Sequence, residues 1–131
     1  MDKLVSYLLA GLGSALGGMA RVWLSNWAAH RWGDAFPWGT LLINTTGSFL
    51  IGFVAGLVVP GSRFGLDDKS VTFFTAGICG GFTTFSAFSL QTLRLAHQGH
   101  PWSAVANVGA SVVCCLLAVA LGHELGRLAS R

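Results

Sequence analysis

Charged residues are scarce in this sequence. Asp, Glu, Lys and Arg make up only 10% of its 131 residues, whereas soluble globular domains contain roughly 25%. Hydrophobic residues reach 53%, and the mean hydropathy is +0.63. The low charge content excludes an ordinary water-soluble domain and indicates a protein whose main solvent is the lipid bilayer.

Acidic residues are the rarest of the charged ones, with five Asp and Glu in the whole chain. None lies inside the first three long apolar stretches, and Glu124 stands near the end of the fourth. A proton-coupled mechanism therefore has no evident carrier. The eight Lys and Arg residues are scattered over the connections and both ends, so they form no basic patch and we expect no nucleic acid partner.

Cysteine and histidine show no pattern that points to metal chemistry or catalysis. The three cysteines, Cys79, Cys114 and Cys115, lie deep inside apolar stretches and form no Cys-x-x-Cys pair. This excludes a zinc site or a disulfide framework and predicts small buried side chains. The four histidines lie at predicted helix ends or connections without convergent spacing. We expect no catalytic site, and therefore no enzyme.

Long charge-free stretches dominate the sequence. Each of them is near or above the roughly 20 residues that a membrane-spanning helix needs; they are Leu4–Ala20, Ala35–Ser62, Ser70–Leu93 and Leu95–His123. They predict an all-α integral membrane protein with a single transmembrane domain, residues 1–131, and four spans at about 4–29, 38–59, 70–96 and 102–128. The first stretch continues past Arg21 without a persuasive cleavage site, which favours a retained helix over a signal peptide.

The basic residues are divided almost evenly between the two sides of such a bundle. Four spans place both termini and the Pro60–Lys69 loop on one side. That side carries Lys3, Arg63, Lys69, Arg127 and Arg131, and the other carries Arg21, Arg31 and Arg94. So small a bias barely fixes orientation under the positive-inside rule. It predicts insertion in both orientations and hence an antiparallel dual-topology dimer.

Four glycine pairs have the spacing of tight helix contacts. They are Gly13 with Gly17, Gly52 with Gly56, Gly77 with Gly81, and Gly122 with Gly126. Small residues four apart let helix backbones approach closely in a membrane. The pairs predict packing within the subunit and, since four short spans have little interior, against a second subunit.

The most informative segment is Gly77–Ser89, in the middle of the third span. Its adjacent glycines and adjacent threonines disfavour a continuous helix, so we predict a third helix that is broken in mid-membrane. A break would turn carbonyl oxygens toward the interior, where they suit a hard cation such as Na⁺. The alternative is that the glycines only permit close packing.

Phe85 and Phe88 would share one face of a helix that resumes after Thr84. Their ring edges are positive and can stabilise a small anion, although packing in the core or against lipid is the usual role of phenylalanine. Polar residues recur every four positions on the two neighbouring spans, at Thr40, Asn44 and Ser48 and at Ser103, Asn107 and Ser111. Two polar stripes thus face something other than lipid.

Asn44 and Arg21 are the sharpest single polar residues within the first two spans. The Asn44 amide carries two N–H donors, which can bind an anion or a neighbouring helix. Arg21 ends the first charge-free stretch. It either snorkels to the interface or draws anions into a vestibule.

Three segments together resemble the Fluc/CrcB family of fluoride channels: Gly-Gly-Met-Ala-Arg at Gly17–Arg21, Trp-Gly-Thr-Leu-Leu-Ile-Asn at Trp38–Asn44, and Gly-Gly-Phe-Thr-Thr-Phe-Ser-Ala-Phe at Gly80–Phe88. The resemblance covers essentially the whole chain. It implies an antiparallel homodimer in the inner membrane of a microbial cell, with a structural Na⁺ at its centre and passive efflux of fluoride from the cytoplasm.

The resemblance also implies roles for matching residues. The carbonyls of Gly80 and Thr83 would hold Na⁺, and the rings of Phe85 and Phe88 would contact fluoride. Polar pore residues would be Asn44, Thr84 and Ser111, with Arg21 in the vestibule. Some family members carry a tyrosine where this chain has Asn107, which leaves its part in the polar stripe open.

Two other classes of membrane protein remain as alternatives. A small dual-topology multidrug exporter has a similar length and number of spans, but it needs an acidic residue in the membrane, usually in the first span. Leu4–Ala20 contains none. A non-transporting subunit that uses its glycine faces only for binding partners is the second alternative.

Overall fold

The computed structural model describes residues 3–131, which are helical apart from short connections. Helix α1 is Lys3–Trp32, and α2 is Trp38–Leu57. The third span, Asp68–His97, contains α3 (Asp68–Thr72), a π-helix (Phe73–Cys79), α4 (Gly80–Phe82) and α5 (Phe85–His97); the fourth is α6 (Pro101–Ala129). All four spans are long and apolar enough to cross a membrane. The predicted all-α, four-span fold is confirmed.

The helix ends lie close to the predicted bounds, with the largest difference at the end of α1. This helix continues to Trp32 because Gly33 adopts a φ of 75°, the left-handed conformation that ends a helix and that glycine adopts without strain. The Gly33 N–H donates to the Ala29 carbonyl at 2.8 Å. Helix α2 ends at Leu57, shortly before Pro60, which cannot continue a helix.

The four spans pack as two parallel pairs, each joined by a seam of glycines. In the first seam, α1 contributes Gly13 and Gly17 against the third span; in the second, α2 contributes Gly52 and Gly56 against α6. A Cβ atom on Gly17 would overlap the Ile78 carbonyl oxygen. The close helix packing predicted from the glycine spacing is therefore present within the chain, because the backbones are in contact where side chains are absent.

The two ends of the bundle differ in character. At one end, the Arg63 N–H donates to the Ser130 carbonyl at 3.1 Å, so the loop after α2 meets the C-terminal end of α6. At the other end, Trp32 makes an edge contact with Trp27 at 5.2 Å and lies 6.3 Å from Trp38. Indole rings are typical of the membrane–water boundary.

The outer surface is apolar and the interior is small. Leu117 on α6 is 67% exposed and Tyr7 on α1 is 70% exposed, whereas among the described residues the largest fully buried side chains are Ile43 and Asn107. A soluble protein would bury such leucines. This distribution suits a bundle whose outer surface is solvated by lipid.

Candidate functional site

The helical hydrogen bonding of the third span is interrupted at Thr83 and Thr84. Both residues have extended backbone, with φ and ψ of −77° and 157° at Thr83 and −153° and 114° at Thr84. In a continuous helix the Thr84 N–H would donate to the Gly80 carbonyl, but it donates to Asn44 Oδ1 at 2.8 Å. The Ala87 N–H likewise donates to Thr84 Oγ1, at 3.2 Å. The carbonyls of Gly80 and Thr83 thus lose their helical donors.

The Asn44 side chain on α2 hydrogen-bonds both backbone groups of one residue, Thr84. Its Oδ1 accepts from the Thr84 N–H, and its Nδ2 donates to the Thr84 carbonyl at 3.0 Å. An amide carries two N–H donors, and only one is used in this pair. The other N–H has no protein acceptor among residues 3–131 and is available to a ligand.

The threonines themselves stabilise the interruption. Thr83 Oγ1 and the Thr83 N–H both bond to the Cys79 carbonyl, each at 2.9 Å, which closes the helix that precedes it. Thr84 has the extended backbone of an N-cap, and its hydroxyl accepts from the Ala87 N–H to start α5. Threonine is a favoured cap and tolerates extended backbone well, so two in succession end one helix and begin the next.

A groove of about 370 Å³ runs beside this interruption, with walls from the third span and α6 and further lining from α2. It gathers most of the predicted site residues along one surface. They are Asn44, Gly80, Thr83, Thr84, Phe85, Phe88 and Ser111. Arg21 is half-buried on α1 and is not among the residues that line the groove. The structure thus brings together every predicted pore and cation residue, but not the predicted vestibule residue.

The two phenylalanines share a face, as their spacing predicts. Their ring centroids lie 5.3 Å apart with the planes tilted by 50°. Phe88 is half-buried, whereas Phe85 is 78% exposed. The exposed Phe85 ring thus lies on the open side of the groove.

The orientation of the Asn107 amide on α6 follows from its hydrogen bonds. Thr92 Oγ1 donates to the Phe88 carbonyl at 2.8 Å, so it can only accept from its other neighbour, Asn107, at 2.9 Å. The atom of Asn107 that faces Thr92 must therefore be the donor Nδ2. Its Oδ1 then points elsewhere and is buried without a hydrogen-bond partner among the residues that the structure describes.

Ser111 lies one turn after Asn107 and lines the groove. Its side chain is 7% exposed, and its Oγ has no hydrogen-bond partner in the described part of the chain. A buried hydroxyl without a partner is costly. An ion or water bound in the groove can therefore supply the hydrogen-bond partner that the Ser111 hydroxyl lacks.

A second, more polar cleft of about 300 Å³ lies at the tryptophan end of the bundle. Arg94 and Gln91 on α5 line it together with Thr40 on α2 and Asp34 in the loop that precedes α2. Thr40, the first member of the predicted polar stripe on α2, is thus separate from Asn44 and Ser48, which line the groove.

Cys79 and Cys115 are among the groove residues that sequence reasoning missed. Both were predicted to be buried apolar side chains. Cys79 is 4% exposed, but Cys115 is only partly buried. The available signal was the spacing of Cys115, four residues after Ser111 and hence on the same face of α6.

The four apolar helices, each long enough to cross a membrane, indicate a multi-pass membrane protein. The model of the family described as CrcB-like protein, Camphor Resistance (CrcB), matches residues 8–123. The chain therefore belongs to the CrcB family.

Curated relatives are similar over nearly their full length. One from Methylocella silvestris is 53% identical over 119 residues, 91% of both chains. One from Rhodospirillum rubrum is 50% identical over 119 residues, 91% of this chain and 92% of the relative, and one from Paramagnetospirillum magneticum is 49% identical over 128 residues, 98% and 100%. All three are named fluoride-specific ion channel FluC, which describes ion channels and not enzymes.

Proposed function

We propose that this chain forms a fluoride-selective ion channel that lets fluoride leave the cytoplasm passively across the inner membrane. The observation that carries the proposal is the groove in which one free Asn44 N–H, the Thr84 interruption and the two phenylalanine rings converge. Membership of a family whose relatives are named as fluoride channels supports the choice of ion.

Fluoride is small and holds its water tightly, so a pore must replace that water with several strong donors. The Asn44 N–H and the hydroxyls of Thr84 and Ser111 are such donors, and the positive edges of Phe85 and Phe88 add weaker stabilisation. Among residues 3–131, no charged side chain lines the groove. Chloride, larger and less tightly hydrated, gains less from a compact set of donors.

An antiparallel dimer is part of the proposal. A lone chain leaves the groove open and Phe85 78% exposed, and a second copy is a partner that can cover both. The near-even division of basic residues supports opposite orientations for the two copies. Insertion in either orientation makes the antiparallel arrangement available without a second gene product.

A sodium ion at the centre of that dimer fits the residues present. The carbonyls of Gly80 and Thr83 lose their helical donors, as described above, and both residues line the groove. Neutral carbonyl oxygens are hard ligands that suit Na⁺. The ion would supply structural cross-linking between the two third spans and no chemistry.

We assign Arg21 an indirect role, since it lies outside the groove. A half-buried guanidinium on α1 raises the local concentration of anions without binding the ion in the pore. Arg94, which lines the polar cleft at the tryptophan end, has the same sign of charge. Asp34 lines the same cleft with the opposite charge, so we assign the attraction of anions to Arg21 alone.

The multidrug exporter has little support in comparison. It requires an acidic residue in the membrane, and Leu4–Ala20 has none. A pore that carries fluoride down its electrochemical gradient needs no such group. An inside-negative membrane potential directs that flow outward.

Purified protein in liposomes loaded with potassium fluoride tests the proposal directly. When valinomycin releases the counter-charge, we expect rapid fluoride efflux on a fluoride electrode and no comparable efflux from chloride-loaded liposomes. Empty liposomes are the control. Equal rates for fluoride and chloride, or no flux from well-assembled protein, would refute the proposed function.

Dual topology is tested separately in intact cells. A single cysteine placed at Ser62, in the loop after α2, replaces the native cysteines as the only thiol. We expect a membrane-impermeant thiol reagent to label about half of the molecules from either side. Labelling from one side alone would rule out the antiparallel arrangement.

A further inference from the structure

The polar cleft at the tryptophan end contains side chains whose hydrogen-bonding groups have no partner. Thr40 on α2 is 4% exposed and lines the cleft, and its hydroxyl makes no hydrogen bond within residues 3–131. Gln91 on α5 lines the same cleft, and its Oε1 is buried without a partner in that part of the chain. Buried polar groups are costly unless they are paired. Two helices thus each present a group that a polar ligand in the cleft can satisfy.

The cleft also contains one charge of each sign. Arg94 lies on α5 and Asp34 in the loop that precedes α2, and both line the cleft. Neither takes part in an ion pair within residues 3–131, where the pairs are those of Glu124. An anion would be attracted by the guanidinium and repelled by the carboxylate, and a cation the reverse. A ligand that carries both charges matches the cleft better than either.

The acidic side of the cleft is aromatic as well. Phe36 and Trp38 follow Asp34 in one short turn, line the cleft, and have ring centroids 4.7 Å apart. The Trp38 N–H donates to the Phe36 carbonyl at 2.8 Å, which fixes the turn. Aromatic faces and carboxylates both attract an ammonium group. This side therefore suits the positive end of a zwitterion.

The side of the cleft formed by α5 suits the negative end. Arg94 and Gln91 are three residues apart on this helix, a spacing that places two side chains on one face. A guanidinium offers several N–H donors in a fixed fork, the geometry that matches a phosphate group. The Thr40 hydroxyl is a further donor in the cleft.

The position of the cleft indicates where such a zwitterion comes from. Trp38 lines it and lies 6.3 Å from Trp32, and tryptophan rings are typical of the headgroup level of a membrane. We propose that the cleft binds the headgroup of phosphatidylethanolamine, with the phosphate on Arg94 and the ammonium beside Asp34. The acyl chains lie outside, along the apolar surface of the bundle.

The size and donors of this headgroup fit the cleft. A volume of about 300 Å³ is at the small end of ligand pockets, which suits a headgroup and not a whole lipid. A short carbon linker separates phosphate from ammonium, so each end contacts its own side of the cleft, and the two protein charges need not meet. The ammonium carries N–H donors for the Asp34 carboxylate and Gln91 Oε1. The choline group of phosphatidylcholine has none and would leave both unpaired.

Lipid retention tests the site without reference to fluoride. Protein stripped of lipid in detergent is incubated with phosphatidylethanolamine, phosphatidylcholine or phosphatidylglycerol of identical acyl chains, and bound lipid is measured by native mass spectrometry. We expect phosphatidylethanolamine to bind about tenfold more tightly than either other lipid, since each of them loses charge-assisted hydrogen bonds. Equal binding of phosphatidylcholine would overturn the proposal.

Two charge variants give opposite patterns if the cleft is the site. Arg94→Gln should weaken binding of every phospholipid, because it removes the phosphate partner. Asp34→Asn should weaken phosphatidylethanolamine but strengthen phosphatidylglycerol, because it removes a carboxylate that repels an anionic headgroup. Arg31→Gln is the matched control, since Arg31 is near the same end of α1 but does not line the cleft. Size-exclusion profiles establish that each variant is assembled.

Three results would contradict the proposal. Unchanged retention by both cleft variants would show that the lipid binds elsewhere. An equal loss in Arg31→Gln would assign binding to the general positive charge of this end. Complete displacement of the lipid by an equal concentration of free phosphoethanolamine would identify a soluble zwitterion, and not a lipid, as the occupant.

Discussion

The third span, α2 and α6 take part in both the glycine seams and the groove, yet the seams are closed and the groove is open. In the seams, backbone lies against backbone, and a Cβ on Gly56 would overlap the His123 carbonyl oxygen. In the groove, the buried Ser111 Oγ and one Asn44 N–H have no hydrogen-bond partner within residues 3–131, and Phe85 is 78% exposed. The seams are complete within one chain, whereas the groove has polar groups and a ring that the described residues leave open.

This difference separates the residues that hold the bundle from those that act on an ion. A seam glycine tolerates no added volume, and it has no side-chain N–H or O–H that could donate a hydrogen bond to an ion. A groove residue leaves a polar group or ring edge unpaired, at a cost that only a ligand, water or partner can offset. Substitutions in the seams should therefore damage assembly, and substitutions in the groove should damage conduction.

The largest effect is expected from volume added to a seam. Gly17→Ala places a methyl group against the Ile78 carbonyl oxygen, and overpacking of this kind costs about 1–3 kcal/mol. We expect loss of assembly on size exclusion and loss of flux together. Gly18→Ala is the matched control, since a Cβ there meets nothing within 4 Å. A Gly17→Ala protein that assembles and melts like wild type would contradict the role of the seam.

Phe88→Ile tests the groove with assembly preserved. Isoleucine keeps much of the apolar volume but removes the ring quadrupole, and loss of about 1.4 kcal/mol of ion stabilisation corresponds to roughly tenfold. We expect fluoride flux to fall by about that factor or more while the size-exclusion profile is unchanged. Normal conduction by a well-assembled variant would count against ring-edge contact with the ion.

Asn44→Asp distinguishes the two uses of this amide. A carboxylate can still accept from the Thr84 N–H, but it has no N–H for the Thr84 carbonyl or for an anion. Its charge also repels fluoride in the groove. We expect assembled protein with strongly reduced flux that partly recovers at low pH, where the carboxyl is protonated. A flux equal to wild type at neutral pH would show that the amide donor is dispensable.

Thr92→Val tests the orientation of the Asn107 amide. Valine removes the acceptor that fixes Nδ2, so the amide becomes free to flip, at a cost of about 1 kcal/mol for the lost hydrogen bond. We expect a modest fall in flux and a changed ratio of fluoride to chloride. Thr92→Ser, which keeps the hydroxyl, should restore both, and failure of that rescue would assign the effect to packing.

The smallest effect is expected outside both regions. Asp67 caps α3, and the side-chain and backbone hydrogen bonds from Ser70 lower its pKa below the ordinary value of 3.8. A lowered folded-state pKa stabilises the protein above the unfolded value, and the contribution is lost as the pH falls through the folded pKa. Asp67→Ala should slightly lower the melting temperature at neutral pH, less so in acid, and leave flux unchanged. If the difference in melting temperature between Asp67→Ala and wild type grows in acid, the Asp67 carboxylate does not stabilise the protein in the way proposed.

Much of the fold follows from the sequence because its causes are local. Charge-free length predicts the four spans, and Gly33 and Pro60 end α1 and α2 through their own backbone restrictions. The segment Gly77–Ser89 was predicted to depart from a regular helix, and the extended pair Thr83–Thr84 lies within it. Its depth in the bilayer, the sodium ion and the dual topology stay predictions.

The candidate site was only partly predictable. Phe85 and Phe88 share a face through spacing alone, and Asn44 and Ser111 belong to polar stripes that the sequence displays. That the Asn44 amide would pair with both sides of Thr84 was open, since binding a helix and binding an anion were equally compatible with its position. Arg21 was predicted at the vestibule, but it does not line the groove.

By itself, then, the sequence determined that lipid is the main solvent and that the chain has four spans, because both depend on stretches of consecutive residues. Only the tertiary structure decided which glycine pair meets which, which atom of Asn107 faces Thr92, and that Cys79 and Cys115 share one groove. These depend on distances between residues far apart in the chain. Such distances are set by the packing of whole helices, which no local pattern specifies.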